Sequence, residues 1–88
     1  MVGYRIELRH VAQKQLDQLP ERDYKAIATV ISSLAQQPRP PRVKKLADSG
    51  LWRIRAGRYR VVYAIDDDLQ LVTIVRIARR REDTYKSL

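Results

Sequence analysis

LWRIRAGRYRVVYAI, residues 51–65, holds two short runs of alternating residue type on either side of one glycine. Trp52, Ile54 and Ala56 alternate with Arg53 and Arg55, and residues 59–65 are β-branched and aromatic. Period-2 alternation of this kind marks a half-buried strand. Gly57-Arg58 serves as a two-residue loop, because glycine at the first central position suits a type II′ turn. That loop sets Ala56 opposite Tyr59, Arg55 opposite Arg60, Ile54 opposite Val61 and Arg53 opposite Val62. Trp52, Ile54, Ala56, Tyr59, Val61 and Tyr63 then share one face, which must be the core, with Trp52 and Tyr63 opposed in packing contact. Arg53, Arg55 and Arg60 share the other face. A three-residue loop would scramble this register.

A directly opposed pair of like charges destabilises a hairpin by some tenths of a kcal/mol or more. A sequence shaped only by folding would avoid Arg55 across from Arg60. The arrangement makes sense if a phosphate sits between them, since guanidinium forks bind phosphate oxygens in a bidentate way. The missing partner is a polyanion, RNA foremost.

Charge distribution points the same way. The chain of 88 residues has a net charge of +8. Residues 39–60 contain eight basic residues (Arg39, Arg42, Lys44, Lys45, Arg53, Arg55, Arg58 and Arg60) against Asp48 alone, and so carry +7 of it. Such concentration favours a binding surface over general solubility. The length makes one domain spanning residues 1–88, and a chain this short buries only roughly 60% of its unfolded surface. No cysteine is present, which excludes a disulfide scaffold, a thiol nucleophile and a cysteine-ligated zinc. With one histidine and scattered carboxylates, neither a metal nor a cofactor is expected. No apolar run approaches the roughly 18 residues that span a bilayer, and "MVGYRIELRH" has no apolar leader segment, so a cytoplasmic protein without membrane partners is expected.

Outward from the hairpin, residues 4–8 alternate Tyr4, Ile6 and Leu8 with Arg5 and Glu7, a first strand. Val11, Ala12, Leu16 and Leu19 fall at helical spacing until Pro20. Glu21 and Asp23 suit the start of a second helix, in which Tyr24, Ile27, Ala28, Ile31, Leu34 and Ala35 form an apolar stripe. The spacing predicts helices near 10–19 and 22–36. "PRPPR", residues 38–42, cannot continue a helix and is expected to run extended over the surface. Residues 69–78 read as the last strand, preceded by the turn signal Asp66-Asp67-Asp68. The tail "RRREDTYKSL" is polar and too short for an independent helix. The fold class is α+β: one N-terminal strand, a helical hairpin, then a three-stranded antiparallel meander with helices packed on one sheet face.

At this level of detail "LWRIRAGRYRVVYAIDDD…VTIVRIARRREDTY" resembles the second half of the RelE/ParE superfamily of bacterial toxins. "LPERDYKAIATVISSLAQQPRPPRVKKLADSG" is similar to the helical hairpin and following loop of the same family. The resemblance is nearest to the RelE branch of ribosome-dependent mRNA endoribonucleases, and it implies a toxin that cleaves message in the ribosomal decoding site. By the same resemblance Arg53 and Arg55 match two basic positions on the strand after the helices. Arg60 matches an arginine associated with transition-state stabilisation, and Arg80 one associated with protonation or stabilisation of the leaving group. Tyr85 matches a tyrosine that stacks on a substrate base. Family members often carry lysine at positions 53 and 55 and histidine at position 79, where this chain has arginine throughout. An arginine does not lose its proton, so the base in the reaction is left open.

The resemblance further implies a cognate antitoxin, besides the ribosome and mRNA. Lys44, Lys45, Arg58, Arg79 and Arg81 are the remaining candidates for contact with RNA or ribosome, and Arg79, Arg80 and Arg81 compete for one catalytic position. His10, at the end of the first strand, is read as a capping or surface residue. Two other functions stay open: a ParE-type gyrase poison of the same fold, and an RNA-binding module without chemistry.

Overall fold

In the computed structural model, which describes residues 3–79, the chain runs β1 (Arg5–Leu8), α1 (His10–Asp17), α2 (Glu21–Ser33), β2 (Lys44–Leu46), β3 (Leu51–Ala56), β4 (Tyr59–Asp66) and β5 (Leu71–Arg79). The strands form one sheet in the order β1-β5-β4-β3-β2. β1 runs parallel to β5, and the other pairs are antiparallel. The α+β class and the meander are as the sequence predicts. The sheet has one strand more than expected, because Lys44-Lys45-Leu46 pairs with Leu51, Trp52 and Arg53 along the outer edge of β3. Three residues, two of them lysine, show no apolar alternation, and lysine-rich short strands are what sheet edges favour.

The central hairpin has the predicted register, with Ala56 opposite Tyr59, Arg55 opposite Arg60, Ile54 opposite Val61, Arg53 opposite Val62 and Trp52 opposite Tyr63. Gly57 adopts φ +60° whereas Arg58 does not enter the left-handed region, the signature of a type II′ turn. A side chain at position 57 would be strained there.

Ile54, Ala56, Val61 and Tyr63 of this hairpin are buried, and Val72, Ile74 and Ile77 of β5 join them. The helices cover that face through Ala12 and Leu16 of α1 and through Ile27 and Ile31 of α2, with Leu34 just beyond. Both helices are shorter than their apolar spacing suggests, and two expected core positions open to solvent: Val11 is 56% exposed and Tyr24 40%. Each lies in the first turn of its helix. The Tyr59 hydroxyl donates to Asp23 (3.3 Å) and ties the start of α2 to the hairpin.

β5 departs from simple alternation. Val62 pairs with Arg76 and Tyr63 pairs with Ile74, so Val75 is an extra residue with no partner, a β-bulge. Counting by twos from Val72 and Ile74 would drive Arg76 under the helices; the bulge sends Ile77 there in its place.

Residues 38–42 do not run extended. They bend and turn, with the Val43 amide donating to the Pro40 carbonyl (3.0 Å). The segment is fastened to the sheet at two points. The buried Tyr63 hydroxyl donates to the Pro38 carbonyl (2.7 Å), and burial pushes that phenol up to about 12. Arg39 donates two hydrogen bonds to Asp67 (2.9 and 3.2 Å), which also accepts from the Tyr4 hydroxyl (2.6 Å). The Arg39 guanidinium lies 5.2 Å from the centre of the Trp52 ring, and the Lys45 ammonium 5.7 Å from it. Trp52 is therefore half-buried under cations and not a fully enclosed core residue.

Hydrogen bonds from Arg39 and from Tyr4 hold the Asp67 carboxyl below its ordinary value. A carboxyl that is more acidic in the folded than in the unfolded chain stabilises at neutral pH, and that contribution disappears as pH falls through its folded value. Asp67→Asn is expected to melt below the parent at neutral pH, with the gap closing as the pH of the thermal melts is lowered into the carboxylate range. A gap independent of pH would show that Asp67 acts through shape alone.

Candidate nucleic-acid interface

Two rows of side chains cross the sheet face opposite the helices. Lys44, Arg53, Val62 and Arg76 are successive partners across β2, β3, β4 and β5. Arg55, Arg60 and Ala78 form the next row toward the Gly57 turn. Alternation along β3 and β4 puts these arginines on the open face because Ile54, Ala56, Val61 and Tyr63 take the other.

Two depressions lie between the rows. One, of about 340 Å³, is lined by Arg42, Lys44, Arg53 and Arg55. The second, of about 590 Å³, is lined by Leu46, Arg53, Arg60, Val62, Arg76, Ala78 and Arg79. Arg53 belongs to both and forms the ridge between them. Among the described residues no Asp or Glu lines either depression, so the arginine charges reinforce one another. The Arg53 Nε is buried with no hydrogen-bond partner among the described residues. The opposition of Arg55 to Arg60 is real and is not relieved by a shift of register.

The sequence candidates divide clearly. Arg53, Arg55, Arg60 and Lys44 share the open face, and Arg79, the last residue of β5, joins the rim of the larger depression. Arg58 stands exposed in the turn. Lys45 does not belong with them: pairing with Trp52 turns it to the opposite face, over the indole ring. Arg80, Arg81 and Tyr85 lie outside the described residues. His10 is the exposed first residue of α1 and lines neither depression.

Two residues were not picked out by the sequence reading. Arg42, one charge of the basic segment, reaches the smaller depression from the turn before β2. Arg76 lines the larger depression only because of the bulge at Val75. The available signal was an arginine in core phase within an apolar strand, a conflict that a bulge resolves.

Chemically, the face presents several permanently charged planar forks around an apolar floor of Val62, Ala78 and Leu46. Such a surface orients phosphodiesters and stabilises extra negative charge on their oxygens. No carboxylate or imidazole lines either depression, among the described residues, to exchange protons near neutral pH.

Residues 6–84 match the family described as ParE toxin of type II toxin-antitoxin system, parDE. The chain is 38% identical over 79 residues to the toxin RelE of Mycobacterium tuberculosis, covering 88% of this chain and 81% of that protein. It is 31% identical over 88 residues to RelE1 of Methanocaldococcus jannaschii, covering 96% and 97%. The crystal structure of the toxin-antitoxin complex RelBE2 from Mycobacterium tuberculosis contains a chain that superposes with a TM-score of 0.80 at 30% identity, over 90% of this chain and 100% of that one. The match of sequence over nearly the whole chain, together with that of the sheet and both helices, places the protein in the RelE/ParE family of type II toxin-antitoxin toxins.

Proposed function

We propose that the chain is a RelE-type endoribonuclease, a cytoplasmic toxin that cuts mRNA in the ribosomal decoding site. The observation that carries this reading is the convergence of Arg53, Arg55 and Arg60 on one open sheet face, around depressions that no carboxylate lines among the described residues. In the reaction the 2′-oxygen of one nucleotide bonds to the adjacent phosphorus and the bond from phosphorus to the 5′-oxygen breaks. A 2′,3′-cyclic phosphate and a 5′-hydroxyl result. The 2′-proton passes to water or to a ribosomal group, because no arginine accepts it. Arg60 stabilises the charge that develops on the phosphoryl oxygens, with Arg53 and Arg55 as clamps beside it. Arg80 stabilises the leaving 5′-oxygen, which takes up a proton from water or a ribosomal group to become the 5′-hydroxyl, and Tyr85 stacks on a substrate base, worth roughly 1–3 kcal/mol. Lys44, Arg58, Arg79 and Arg81 contact the RNA or ribosome. Lys45, turned to the Trp52 side, is withdrawn from that set.

The ribosome supplies a fixed in-line geometry for the RNA and the proton acceptor that the described residues of this face do not offer. A cognate antitoxin is the second partner, as in the complex of the Mycobacterium tuberculosis relative. An acidic segment laid over the arginines, or one displacing the tail that carries Tyr85, fits the charge of this chain.

A ParE-type gyrase poison is the second reading, and the description of the matched family favours it. It gives no reason for placing Arg55 directly opposite Arg60 across the hairpin. Mapping 5′ ends of cellular mRNA after induction separates the two: codon-spaced cuts within reading frames are expected, and DNA damage without cuts would overturn the ribonuclease.

Arg60→Ala and Arg80→Ala are expected to abolish toxicity at equal expression, with single-turnover cleavage on programmed ribosomes slowed on the order of 10² to 10³-fold. A variant as lethal as the parent would remove its residue from the site. Position 55 separates function from folding. Arg55→Lys should retain substantial cleavage and Arg55→Ala should lose at least about 10²-fold. Arg55→Glu should lose activity as well yet melt above the parent, because exchanging a like-charge pair for an opposite one across the hairpin is worth about 0.2–1 kcal/mol. An unchanged or lower melting temperature would mean that the opposed arginines do not oppose folding.

A further inference from the structure

We propose that Arg76, working with Arg53, holds a second phosphate of a single-stranded RNA, next along the strand from the one held at Arg60. The inference rests on the ribonuclease reading for the identity of the bound strand.

The bulge at Val75 is the first observation. It turns Arg76 out of the helix-covered side and makes it the open-face partner of Val62. Bulges are often found beside functional sites, where they re-aim a side chain. The second observation is the neighbourhood that Arg76 reaches. It lines the larger depression together with Arg53 and Arg60, over the short side chains of Val62 and Ala78. Arg53 and Arg76 are both partners of Val62, from opposite sides. They therefore stand two strands apart, roughly 10 Å at the backbone, with a low apolar floor between them. Two arginine side chains leaning inward over that gap grip one tetrahedral anion from both sides. The third observation is the buried Arg53 Nε, an N–H with no acceptor among the described residues.

Spacing assigns this anion to a different phosphate from the one at Arg60. Val62 follows Arg60 by two residues on β4, so the two rows lie about 7 Å apart along the strand direction. That step is of the same order as the separation of successive phosphates in an extended single strand. Arg60 and Arg76 thus address neighbouring phosphates, and the floor of Val62 and Ala78 accommodates the sugar between them. Arg76 is exposed and contributes no core packing, so its replacement leaves the fold intact.

The test uses the full chain and a fluorescent oligoribonucleotide with a 2′-deoxy substitution at the cleavage position, titrated by anisotropy over a range of salt. Arg76→Ala should bind about tenfold more weakly at low salt, as loss of one charged contact implies. Its log–log salt slope should fall by about 0.7, the value for one phosphate of a single strand. Arg76→Lys should keep the slope and recover part of the affinity. In cleavage on programmed ribosomes, Arg76→Ala should raise the half-saturating ribosome concentration more than it lowers the maximal rate. Unchanged affinity and slope in Arg76→Ala would overturn the proposal. So would a fall in maximal rate alone, or a loss confined to binding an acidic antitoxin peptide. If the parent shows the Arg76-dependent slope but never cuts message on ribosomes, the subsite stands and the ribonuclease reading falls.

Discussion

The two-residue turn at Gly57-Arg58 is the constraint on which the rest of the sheet depends. A strand has only two faces, and a slip of one residue exchanges them completely. With glycine at φ +60° the turn closes as type II′, and the register of six residue pairs follows from it. Every apolar residue from Ile54 to Tyr63 that faces inward does so because of this closure, and every arginine that faces outward does so for the same reason. Burial of the inner set outweighs the tenths of a kcal/mol by which Arg55 and Arg60 repel each other, since one buried isoleucine or valine contributes about 1.5–3 kcal/mol. The hairpin therefore folds while carrying an electrostatic conflict on its surface.

The basic segment divides its charges between two jobs. Arg39 is committed to Asp67 and lies over Trp52, and Lys45 lies over the same ring from the edge strand. Arg39 holds the loop of residues 38–42 against the sheet, where the Tyr63 hydroxyl secures the Pro38 carbonyl. Arg42, Lys44, Arg53, Arg55 and Arg60 face the other way and surround the depressions. Net charge alone does not distinguish the two groups. Pairing parity does: Lys44 opposes Arg53 and so faces with it, while Lys45 opposes Trp52 and so faces away.

Function and fold meet again at β5. Its apolar residues are needed beneath the helices, yet an arginine interrupts them at a position that strict alternation would bury. An unpaired guanidinium there would be expensive to desolvate. One extra residue, Val75, restores the match by moving Ile77 into the core and Arg76 into the open. The bulge thus adds a cation to a face that already bears the arginines of β3 and β4.

The sequence by itself determined the α+β class, the helical hairpin, the hairpin register and the face on which Arg53, Arg55 and Arg60 stand, because these follow from short-range periodicity and from one glycine. The family resemblance was legible for the same reason, being carried by that hairpin and the arginines after it. Only the tertiary structure decided the fifth strand, the parity that separates Lys44 from Lys45, the tie between Arg39, Asp67 and Tyr4, and the exposure of Arg76. The tie and the strand order depend on partners distant in the chain: Asp67 lies 28 residues from Arg39 and 63 from Tyr4, and the Ile77 N–H donates to the Gln15 side-chain oxygen 62 residues away. Local pattern carries no information about such meetings. They are fixed by which strands become neighbours, and that is settled by burial of the whole core at once.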